Sequence, residues 1–116
     1  VGGLLLGAAA PLAELSSRPP TVYAMWDEWL FGIAGRKPAK DFSARERGAC
    51  KATFHKRFVI WRRIEMLVGK GIIAKRAIDL LYLVYGPAVS VTQMSNLLKK
   101  DIQRGTLHHL LQVDGR

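Results

Sequence analysis

Ten of the 18 lysines and arginines in this 116-residue chain fall between Arg36 and Arg63. They are Arg36, Lys37, Lys40, Arg45, Arg47, Lys51, Lys56, Arg57, Arg62 and Arg63. Only Asp41 and Glu46 oppose them, so this quarter of the chain holds +8 of a formal net charge of +9. Phe42, Phe54, Phe58 and Trp61 lie in the same run. A solvated charge run has no use for four large aromatics, and a core helix has none for ten cations. Together they fit a helix packed on one side and presenting positive charge on the other, as a nucleic-acid-binding helix does. The chemistry on offer is recognition of a polyanion.

Other chemistry lacks its residues. No glycine-rich loop of the Walker or dinucleotide type occurs, so no nucleotide cofactor is expected. His108 and His109 are adjacent and point apart on a helix, with His55 distant, and no metal site is expected. The acids form no pair suited to acid–base work, and Asp27-Glu28 reads as a solvated helix face. No serine or cysteine nucleophile has a visible base partner. The single cysteine, Cys50, excludes an internal disulfide, fits a reducing compartment and reads as an inert thiol. The expectation is a non-enzyme with no small-molecule substrate.

The elements that must position the basic run are helical. Thr21 follows Pro19-Pro20 as an N-cap, and Val22, Met25, Trp26, Trp29, Leu30 and Ile33 recur at helical spacing until Gly32 and Gly35. A second helix is expected over Pro38 to Arg47, anchored by Phe42 and stopped by Gly48. The third is expected from Lys51 or Ala52 to about Val68. Its apolar arc is Phe54, Ile60, Trp61, Ile64, Leu67 and Val68, and its other face carries His55, Lys56, Val59, Arg62, Arg63 and Met66. Arg57 falls within or beside the arc, either paired or bent toward a phosphate.

Gly69-Lys70-Gly71 separates a fourth helix, Ile72 to Tyr85, whose stripe is Ala74, Ala77, Ile78, Leu81, Tyr82 and Tyr85. Ser90-Val-Thr-Gln93 is a capping box opening a fifth, with Val91, Met94, Leu97, Leu98 and Ile102 apolar and Gly105 as its stop. Lys99, Lys100 and Arg104 complement its C-terminal dipole. No alternating strand pattern is present. The fold class is all-α, a compact bundle of about five helices. Residues 1–20 are expected to be a flexible apolar leader or linker, 21–105 the domain and 106–116 a tail. Val1–Leu15 is too short to span a bilayer, and no membrane partner is expected. The chain opens on valine and is expected to be a piece of a longer protein.

Thr21-Val-Tyr-Ala-Met-Trp-Asp-Glu-Trp-Leu-Phe-Gly-Ile-Ala-Gly-Arg-Lys-Pro38 resembles the opening of the DNA-binding domain of fungal transcriptional activators of glycolytic genes, through Val22, Trp26, Glu28, Trp29, Gly32, Gly35 and Pro38. Lys56-Arg57 followed by Ile60 and Ile64 is similar to that family's basic pair and spaced isoleucines. The same domain occurs in Crypton-type mobile-element recombinases of fungi and oomycetes. The resemblance covers roughly residues 21–100. It implies a Myb-like, helix-turn-helix core with two further helices, reading double-stranded DNA in the nucleus through its third helix, with the tryptophans in the core.

On that reading His55, Lys56, Arg62 and Arg63 contact bases. Arg36, Lys37, Lys40, Arg45, Arg47, Lys51 and Arg57 contact phosphates, which position the protein without specifying sequence. Two alternatives stand beside it. One is the DNA-binding tail of a tyrosine recombinase, although this stretch carries no His-x-x-Arg box. The other is a helical protein-interaction module built on the fourth and fifth helices, with the basic run as a nuclear-import patch.

Overall fold

The computed structural model describes residues 11–113. Among them are five α-helices, two single 3-10 turns and no strand: α1 Val22–Leu30, a turn Ala39–Asp41, α2 Ala44–Ala49, α3 Lys51–Gly69, α4 Ala74–Tyr85, α5 Val91–Arg104 and a turn His109–Leu111. The 19-residue α3 is the axle: α5, α4, α2 and α1 all pack against it, and α1 also meets α4.

The helices begin where local chemistry starts them. Thr21 accepts from the Ala24 amide at 3.1 Å to open α1. Ser90 and Gln93 form the reciprocal capping box of α5, and Gly105 closes that helix in the left-handed region at φ 70°. The expected helix over Pro38–Arg47 is instead two pieces. Ser43 and Glu46 form a second capping box, which starts α2 only after Phe42 has passed through extended backbone (ψ 132°) with its ring buried. Gly48 lies inside α2 and does not end it. Beyond α1, Gly32 holds φ 79°, and a Cβ there would stand 2.0 Å from the Arg36 carbonyl oxygen, so only glycine permits this turn.

Aromatic rings fill the core between α1 and α3. Trp29 stacks on Trp61 at 4.9 Å between centroids, and Phe54 meets Trp61 edge-on at 5.4 Å. Phe42 stacks on Phe54 at 6.0 Å. Such pairs add about 0.5–1.5 kcal/mol each beyond the area they bury. The indole N–H groups find acceptors: Trp61 donates to the Met25 carbonyl at 2.8 Å and Trp29 to Glu65 at 3.1 Å. On the far side Ile60, Ile64 and Leu67 meet Ala77, Ile78, Leu81, Met94 and Leu98. Val68, expected in the apolar arc, is exposed.

Residues 11–20 do not behave as a loose leader. The Lys37 amide donates to the Leu12 carbonyl at 2.7 Å, the Ser16 amide to Glu28 at 2.7 Å, and Arg57 to the Ser16 carbonyl at 2.5 Å. This stretch is a strap over α1 and α3. Residues 1–10 of the expected leader and 114–116 of the tail lie outside the described residues.

Candidate nucleic-acid interface

Helical geometry divides α3 into a sheathed side and an open one. Phe54, Arg57, Ile60, Trp61, Arg63, Ile64 and Leu67 are buried. Lys51, Ala52, His55 and Arg62 are exposed, with Phe58, Val59 and Met66 half-buried beside them. From Lys51 to Met66 this strip runs about 22 Å at 1.5 Å per residue, roughly two-thirds of a duplex turn. Its cations and small apolar groups are of the types that meet guanine edges and thymine methyls in a major groove.

The structure does not keep the four residues expected at bases on one face. His55 and Arg62 share the open strip. Lys56 is exposed at its edge, where α5 comes alongside and Ser95 donates to the Lys56 carbonyl at 2.5 Å. Arg63 is buried: α5 and the His109–Leu111 turn cover that flank, and its guanidinium donates to the Leu111 carbonyl at 3.4 Å. Among the described residues its Nε has no hydrogen-bond partner, and burial pulls the guanidinium pKa down. Arg63 thus lies apart from the open strip, among the buried residues.

The residues expected at phosphates also divide. Lys40, Arg45 and Lys51 are exposed. Arg36 pairs with Glu14 at 3.2 Å, and Lys37 with Glu46 at 2.8 Å. The Lys37 contact, more than any other, holds the Glu46 carboxyl below its ordinary range. Arg47 sets its guanidinium 4.9 Å above the Phe54 ring, a cation–π contact. Arg57 is not a surface cation. It pairs with Glu28 at 2.6 Å with both side chains almost wholly buried, which is the paired alternative of the two.

Glu28 itself was expected on a solvated face with Asp27; Asp27 is exposed, but Glu28 is buried to meet Arg57. The clue lay in Arg57 falling on an apolar arc, which calls for a buried acid somewhere. Burial pushes the Cys50 thiol up, leaving it protonated, and it contacts the Glu46 carbonyl at 3.4 Å. Among the described residues no cluster could hold a metal, and no helix is long and apolar enough to cross a membrane.

An all-helical domain built on a half-sheathed basic helix is the class of protein these features define. The chain belongs to the family of transcriptional activators of glycolytic enzymes, whose model matches residues 14–84, more than half its length. The match takes in most of the strap, α1, α2, α3 and nearly all of α4, and leaves α5 outside. No curated protein and no solved structure matches the chain. A domain of a transcriptional activator is consistent with DNA as its partner.

Proposed function

We propose that this chain binds double-stranded DNA with sequence preference, as the DNA-reading domain of a nuclear transcription regulator, by laying the open strip of α3 in the major groove. The observation that carries the reading is that strip: Lys51, His55 and Arg62 stand exposed on one side of a helix whose other side is clasped by the aromatic core. Arg62 and His55 read base edges, and Val59 and Met66 supply apolar contact. Lys40, Arg45 and Lys51 hold phosphates, and Arg36 and Lys37 join them by exchanging their part-exposed carboxylates for phosphate oxygens.

About five neutralised phosphates give a slope of log K against log salt near −4.5. Arg62→Ala should cost about 1–3 kcal/mol on a preferred site and flatten the preference there, whereas Lys40→Ala should weaken all duplexes alike. Fluorescence anisotropy on sites selected from random duplexes measures both. A slope near zero, or equal losses on preferred and random DNA for Arg62→Ala, contradicts the reading.

A second reading, a helical protein-interaction module, draws on a shallow apolar hollow of about 510 Å³ lined by Tyr85, Pro87, Ala88, Val89 and Leu97. Absence of any gel retardation with duplex DNA at moderate salt favours it. The mobile-element recombinase context would show as a catalytic domain elsewhere in the parent protein.

A further inference from the structure

At the edge of the open strip, the strap and the first turns of α3 and α5 enclose a notch of about 490 Å³. Arg18 and Ser17 line it from the strap, Thr53 and Lys56 from α3, and Ser90 and Thr92 from α5. Among the described residues no carboxylate lines it. Arg57 also borders it, but with its charge already met by Glu28. Arg18 and Lys56 are exposed, and among the described residues neither is in an ion pair, in contrast to Arg36, Lys37 and Lys75.

Two uncommitted cations and several hydroxyl donors, with no competing acid, suit a compact anion with several acceptor oxygens. The backbone adds to this. Ala52 and Thr53, in the first turn of α3, also border the notch, and that turn has no side-chain cap. Lys56 and Arg62 are six residues apart, about 9 Å along the helix axis. A backbone phosphate in the notch would therefore flank a groove entered by Arg62.

We propose that the notch seats one phosphodiester group of the duplex backbone, clamped by Arg18 and Lys56. This rests on the DNA-binding reading and deepens it in two ways. It brings in Arg18, which lies outside the basic run, and it moves Lys56 from the base edges to the backbone. The strap then serves recognition as well as stability, because it carries one half of the clamp.

The test titrates the 116-residue chain, by fluorescence anisotropy, against a selected duplex and a series in which single linkages are replaced by neutral methylphosphonate. Arg18→Gln/Lys56→Gln should keep its helicity, since both side chains are exposed. It should bind preferred and unrelated duplexes on the order of tenfold or more weakly, with a salt slope shallower by about one, the value for a single phosphate. One linkage should be critical for the wild type, indifferent for that double variant and still critical for Arg62→Ala. If the double variant binds like the wild type, or has the wild-type methylphosphonate profile, the notch is not a phosphate seat while DNA binding stands. If the wild type binds no duplex at low salt, the DNA-binding reading fails first and the notch falls with it.

Discussion

Replacing Glu28 with alanine would leave Arg57 charged and without its carboxylate in the interior. The two groups lie 2.6 Å apart with side-chain exposures of 2% and 5%. Removing one partner of such a pair costs about 3–5 kcal/mol, because the survivor is buried without compensation. Arg57 keeps its contact with the Ser16 carbonyl and borders the notch. These two features place the loss at the lower end, about 3 kcal/mol. For a domain of this size that lowers Tm on the order of 12–24 °C.

Arg57→Met should cost a similar amount, since it leaves Glu28 with only the Ser16 amide. Glu28→Leu/Arg57→Met should recover most of the loss, because apolar replacement of a whole buried pair is often near neutral. Urea unfolding followed by circular dichroism gives all three values. A single-variant loss below about 1 kcal/mol, or a double variant that loses the sum of the singles, would refute the buried coupling. The refolded double variant should also keep its DNA affinity, because an arginine committed to Glu28 is no phosphate ligand.

Gly32→Ala should destabilise by well over 1 kcal/mol (about 2–4), since left-handed strain is joined by a backbone clash; at Gly35, where φ is 76° but the space is open, alanine should cost only about 1–2 kcal/mol. Comparative urea midpoints check the order. Arg63→Met should be neutral or stabilising and leave sequence preference intact, because it removes a buried guanidinium whose Nε has no partner among the described residues; a lost base preference at unchanged stability would return Arg63 to the groove. Asp101 accepts from Thr106 and Tyr85, and these bonds, Thr106 first, hold its pKa below the ordinary carboxylate value. Its contribution is therefore present above pH 4 or so and lost as pH falls through the folded pKa. Asp101→Asn should flatten the acid limb of stability against pH, and an unchanged limb would remove Asp101 from that account.

Much of this fold is legible in the sequence because its causes are local. The cap at Thr21, the Ser90–Gln93 box and the stop at Gly105 act within a few residues, and the helical spacing from Val22 to Trp29 and from Phe54 to Leu67 marks which sides turn inward. The Ser43–Glu46 box has the same local signature, but Pro38 offers a competing helix start five residues earlier. What spacing does not carry is long-range pairing. Arg57 and Glu28 are 29 residues apart, and Arg63 meets a carbonyl 48 residues away. A helical wheel gives Arg63 to the open face; it is α5 and the Leu111 turn, packed from elsewhere in the chain, that close it. Arg18 has no local mark at all, since its setting exists only once the strap folds across α3.

The most direct test of the central claim is an amide chemical-shift titration of the folded chain with a preferred duplex. The largest changes should map to Lys40, Arg45 and α3 from Lys51 to Arg62, together with Arg18, while the hollow around Pro87 and Leu97 stays unmoved. Changes confined to that hollow, or none at a DNA excess under low salt, would contradict it.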